Sequence, residues 1–140
     1  MAATIVAPTI LPVPLRVKAR KTRSRSPAVP VIAVSDLHLC EIVTLGQTNG
    51  VNEHTREIGE ERAERLFRNA VTLVKDEQAR CDIREVVVWL GGDFLVNEIH
   101  DDLMRSCAQT PLEEMEHATG VLKRGLDYML AELDVERILV

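Results

Sequence analysis

Aromatic residues are nearly absent from this chain: one Trp, one Tyr and two Phe make up 3% of its 140 residues. With so few flat side chains, a base-stacking platform for single-stranded nucleic acid is disfavoured, and the core has to be aliphatic. Cysteine is scarce as well. Cys40, Cys81 and Cys107 are odd in number, far apart and without a CxxC pair, which argues against a disulfide framework or a structural zinc site and fits a reducing, cytoplasmic setting. No run approaches the ~18 consecutive apolar residues of a membrane span. The apolar start from Ile5 to Pro14 precedes its basic cluster, the reverse of a secretory signal, so no membrane association is expected.

Acidic residues are missing from the first 30 positions, which carry Arg16, Lys18, Arg20, Lys21, Arg23 and Arg25, while the remainder is acidic. Pro8, Pro12, Pro14, Pro27 and Pro30 interrupt the same stretch, and its basic run has no apolar period. Residues 1–29 therefore read as a basic, Pro-rich, disordered linker ahead of a domain at 30–140, with an organelle transit peptide ranked second. An acidic body disfavours simple adhesion to a polyanion unless bound cations reverse the sign locally.

The 46% hydrophobic content suffices for a core. Val31–Val34 is a short, β-rich apolar run ending at Ser35-Asp36, and Val86–Leu90 is a second run ending at Gly91-Gly92-Asp93. Both have the pattern of fully buried strands of a parallel sheet. Between them Ala63, Leu66, Phe67, Ala70, Leu73 and Val74 recur at helical spacing. Thr110-Pro111-Leu112-Glu113 is a capping box with Pro at the first helical position, opening a helix with an apolar stripe of Met115, Leu122, Leu126, Met129, Leu130 and Leu133. His117 falls on the polar face of that helix. Arg137–Val140 reads as the opening of a third strand. The order is that of an α/β fold, a parallel βαβαβ unit with helices packed on the sheet and functional groups at the carboxyl ends of the strands.

Asp36 and Asp93 stand at two such ends. Asp36-Leu37-His38 sets a carboxylate and an imidazole two residues apart, where extended geometry would turn both to one side. With Asp93 they form a mixed oxygen and nitrogen donor set that suits Mn²⁺, Fe or Zn²⁺ better than Ca²⁺. Two loop-starting acids and a surface histidine are the plainer alternative. A pair of consecutive βα units, each presenting a carboxylate directly after an apolar run, favours the metal. Asn49, Asn52 and His54 lie in a polar stretch between Leu45 and Ile58 that reads as a solvated loop or a substrate loop.

Ser35-Asp36-Leu37-His38-Leu39 and Leu90-Gly91-Gly92-Asp93-Phe94 resemble the first two signature blocks, DxH and GD, of the calcineurin-like metallophosphoesterases. Thr48–Glu53 and Ile99–Leu103 are similar to members found in phage and plasmid sequences. The resemblance spans residues 30–140 and implies the N-terminal half of that domain. It implies two divalent cations per complete site, with Asp36 and His38 as ligands of one and Asp93 bridging to the second. The implied reaction is metal-assisted, in-line hydrolysis of a phosphoester, a diester in nucleic acid by analogy. Asn52 and Asn97 are the candidate substrate contacts and His100 the candidate catalytic group. The His100-Asp101-Asp102 run reads equally well as plain charge at a helix start.

Three departures stand out. Cys40 replaces a common Gly, which implies a strained turn. Val96 occupies the place of a second Asp. The later GNH and GHxH blocks are absent, which implies an incomplete site, a missing C-terminal half and little activity from these 140 residues alone, while the basic tail reads as a linker to an upstream domain or as a contact to nucleic-acid phosphates. The alternative is a non-catalytic fragment or interaction module.

Overall fold

The computed structural model describes residues 25–96 and 110–140. Its elements are β1 (Ser26–Pro27), β2 (Val31–Val34), α1 (Arg56–Gln78), β3 (Cys81–Asp82), β4 (Glu85–Leu90), α2 (Pro111–Glu132) and β5 (Arg137–Leu139). The linker expected at 1–29 lies mostly outside the described residues. The strand pairing begins ahead of Pro30, with β1 beside β3 in parallel. The main sheet runs β2-β4-β5, all parallel, with Val31 opposite Val87 and Val86 opposite Ile138. This is an α/β arrangement of parallel strands and crossover helices. Among the described residues no helix is long and apolar enough to cross a membrane.

Capping places both helices. Thr55 precedes α1 in extended conformation and its hydroxyl accepts from the Ile58 N–H. Thr110 and Glu113 close the capping box at α2, with Pro111 at its first position, as the sequence pattern predicts. Phe67, Val71 and Val74 of α1 and Met129 of α2, with Leu133 just beyond it, pack on Val34, Val86 and Val88. A second cluster, Leu39, Cys40, Ala63, Val96, Ala118 and Val121, lies toward the carboxyl ends of β2 and β4.

The strands are not fully buried, contrary to the expectation from their apolar runs. Val31 (67% exposed), Trp89 (57%) and Leu139 (44%) alternate with the buried positions and face away from the helices. The reason is topological: both crossovers step the same way across the sheet, so right-handed connections bring both helices to one face.

The buried stripe of α2 also differs from the expected one. Met115 and Leu130 are exposed, while Glu114, His117, Ala118, Val121, Gly125 and Met129 are buried. Ala118 and Gly125 allow a close approach to α1 that a leucine stripe would prevent, and the Phe67 ring lies directly over Gly125. On α1, Val71 is buried in place of the expected Leu73.

His117 is accordingly not on a polar face. Its side chain is 5% exposed and lies between the helices, where the Arg56 guanidinium donates to Nδ1 at 2.9 Å. Nε2 is 3.5 Å from the Glu60 carboxylate without hydrogen-bond geometry. Burial and then the Arg56 charge push the imidazole below its ordinary value of 6.5, against the pull of Glu60, and Arg124 adds to the lowering. Glu114 lies one turn before it on the same buried face. A histidine whose folded-state value is depressed contributes stability that is present above its unfolded value and lost as pH falls through the folded one. Urea unfolding midpoints are therefore expected to drop from neutral pH to below 6.5, with a smaller drop in His117→Gln; equal pH slopes would rule the contribution out.

Candidate metal centre

The carboxyl ends of β2 and β4 continue side by side past the last strand residues. Gly91 donates its N–H to the Val34 carbonyl at 2.8 Å, Asp36 to Gly92 at 2.9 Å, His38 to Asp93 at 3.1 Å and Leu39 to Phe94 at 3.0 Å. The two loops are thus zipped together, and Asp36, His38 and Asp93 are neighbours along the backbone of adjacent strand ends. Gly91 is required by this closeness, since a Cβ there would sit 2.9 Å from that of Ser35. Gly92, at φ 141°, occupies a region open only to glycine.

Four non-glycine residues have positive φ among the described residues: Asp36 (56°), His38 (43°), Asn49 (53°) and Asp93 (50°). Asn, Asp and His adopt this region more readily than other non-glycine residues, and Asn49 belongs to an exposed turn. The other three are the residues singled out as ligands. A left-handed backbone costs a non-glycine residue about 1–2 kcal/mol, and such outliers concentrate at functional sites. The extended geometry expected across Asp36-Leu37-His38 is therefore replaced by left-handed turns at residues 36 and 38. Both side chains nevertheless line one cleft of about 230 Å³, together with Glu41, Asn52, His54 and Arg62.

Glu41 follows a tight turn closed by its N–H on the His38 carbonyl at 3.0 Å, and its carboxylate lies 3.9 Å from His38 Nδ1. Glu41 lies outside the DxH and GD patterns, and its spacing, an acid three residues beyond the histidine, is the one sequence signal that marks it. The polar stretch is clamped at its ends by an antiparallel bridge, Val43 N–H to His54 O at 2.8 Å and His54 N–H to Val43 O at 2.9 Å. Residues 44–47 and 49–53 within it are exposed, yet His54 itself is buried. Asn52 reaches the cleft. Asn97 and His100 lie outside the described residues.

Cys40 does not have positive φ, so the strain expected at the Gly-to-Cys position sits instead at Asp36 and His38. Its thiol is buried in the second cluster and pushed up first by burial and then by the Glu114 charge, which makes it a poor nucleophile at neutral pH. Val96 is buried in the same cluster and anchors the loop after Asp93 by packing.

Oxygen and nitrogen donors on two zipped, left-handed loops fit a borderline divalent cation in kind and in backbone placement. Among the described residues, however, no three His, Cys, Asp or Glu side chains gather into one coordinating group. Asp36 and His38 share the cleft, whereas Asp93 is not among its lining residues. Comparison with family models, curated proteins and solved structures returned no match.

Proposed function

We propose that the chain carries the first half of a two-cation phosphoesterase centre of the calcineurin-like type. Asp36 and His38 hold one divalent cation, Mn²⁺ or Fe or Zn²⁺, and Asp93 bridges toward a second. The observation that carries this reading is the left-handed backbone at Asp36, His38 and Asp93 on hydrogen-bonded neighbouring strand ends. When bound, such cations supply charge neutralisation at a phosphoryl group and activation of water. The chain's own residues orient the ester: Asn52 lines the cleft, Asn97 is a further substrate contact and His100 the catalytic group, the last two assigned from the sequence alone. A phosphodiester of nucleic acid is the substrate class.

Titration with Mn²⁺, followed by electron paramagnetic resonance, tests this. One Mn²⁺ per chain is expected, lost in Asp36→Asn. With no GNH or GHxH block in the sequence, turnover of bis(4-nitrophenyl) phosphate by the 140-residue chain should not exceed the Mn²⁺ blank. Robust turnover would mean that those blocks are dispensable. A second reading, an interaction module without a reaction of its own, is favoured by the uncovered apolar sheet face around Val31, Trp89 and Leu139. That module would bind no Mn²⁺.

A further inference from the structure

We propose that His54 and Arg62 are positioning residues for this centre, holding the His38 backbone in the left-handed conformation that turns its imidazole into the cleft. The inference rests on the metal-centre reading. Arg62 approaches His54 Nδ1 at 2.9 Å. A guanidinium only donates, so Nδ1 accepts and the ring proton is on Nε2. Nε2 lies 3.1 Å from the His38 carbonyl oxygen and donates to it. That oxygen also accepts from the Glu41 N–H at 3.0 Å, so both its lone pairs are used and its direction is determined. With the peptide after His38 held from the carbonyl side and the His38 N–H held on Asp93, the positive φ is constrained from both ends.

Three local features deliver the ring to that place. The bridge to Val43 fixes the backbone of His54, and Thr55 starts α1 immediately after it. Gly59 leaves room: a Cβ there would come within 3.1 Å of the Leu39 carbonyl oxygen and 3.2 Å of His54 Nε2. Arg62 is one helical turn beyond Gly59, on the side that returns to the ring. Both ring nitrogens are thereby used: Nδ1 is held by Arg62, and Nε2 holds the His38 carbonyl. An imidazole buried to serve the fold alone would not need to end on the carbonyl of a strained candidate ligand.

The test compares wild type, His54→Phe, His54→Gln, Arg62→Leu and Asp36→Asn in two measurements: Mn²⁺ affinity, and amide exchange of Leu39 and Glu41 in the metal-free protein. Phenylalanine fills the ring volume but donates nothing, whereas glutamine keeps an N–H near the Nε2 position. Loss of an orienting partner typically lowers metal affinity about 10–100-fold. His54→Phe is expected to fall in that range and to exchange the Glu41 amide faster, with His54→Gln restoring both and Arg62→Leu intermediate. Affinity within twofold of wild type in His54→Phe, with binding lost in Asp36→Asn, would overturn the positioning role and leave the metal centre standing. No Mn²⁺ binding by wild type would overturn both.

Discussion

Replacing Asp93 with glycine is expected to abolish Mn²⁺ binding while leaving the fold as stable as before, or slightly more so. At φ 50° the aspartate holds a conformation that glycine adopts freely. Removing the strain returns about 1–2 kcal/mol, and the greater chain entropy of glycine in the unfolded state takes back up to about 1 kcal/mol. The hydrogen bond that uses this residue's backbone, His38 N–H to the Asp93 carbonyl, does not involve the side chain and survives. The carboxylate is what disappears. On the proposed reading Asp93 is a bridging ligand, and its loss should exceed the ~10–100-fold that loss of a supporting partner costs. Calorimetric titration with Mn²⁺ and thermal unfolding on the same samples check both halves. A destabilised Asp93→Gly would show that the carboxylate serves the fold, and unchanged Mn²⁺ affinity would remove Asp93 from the ligand set.

The second large effect lies between the helices. Phe67 is almost wholly buried in the main core, and its ring covers Gly125, so a Cβ at that position would overlap it. Phe67→Ala is expected to cost about 3–5 kcal/mol, the usual range for deleting a buried phenyl ring. Gly125→Ala sets two terms against each other: a gain of up to ~1 kcal/mol in helix propensity and an overpacking cost of about 1–3 kcal/mol. The overlap decides for a net loss in the native background. In the Phe67→Ala background the obstacle is gone, and Gly125→Ala should become stabilising, because only the propensity term is left. A double-mutant cycle by urea denaturation reads this change of sign directly. Additive effects would mean that the helices do not approach each other closely at this point.

The two sets of features differ in how far each was legible before folding. Periodicity and capping are local, so the strand, helix, strand, helix, strand order and the start of α2 at Thr110-Pro111 could be read from the chain. So could the two carboxylates at the strand ends, because an apolar run followed by glycines or a polar residue marks a strand exit wherever the strand goes. Which face of a strand or helix is covered is not local. Val31, Ala33, Trp89 and Leu139 are apolar or small and still exposed, since both crossovers carry their helices to the opposite face. Met115 and Leu130 yield the α2 interface to Ala118, Val121 and Gly125, since the distance between helices is set by what α1 presents.

Residue by residue, the site divides the same way. Asp36, His38 and Asp93 are visible as residue types at strand ends, but their positive φ arises only when the two loops hydrogen-bond to each other. His54 is 16 residues from His38 and reads as part of a polar loop; the Val43 bridge and the start of α1 bury it against the His38 carbonyl. The amino-acid sequence by itself determined the α/β order, the caps and the chemical identity of the candidate ligands, because those depend on neighbours within a turn or a strand. Only the tertiary structure decided the bare sheet face, the burial of His117 and the support of His38 by His54 and Arg62. Each of those depends on which distant segment arrives alongside, and no local pattern in the sequence encodes that arrival.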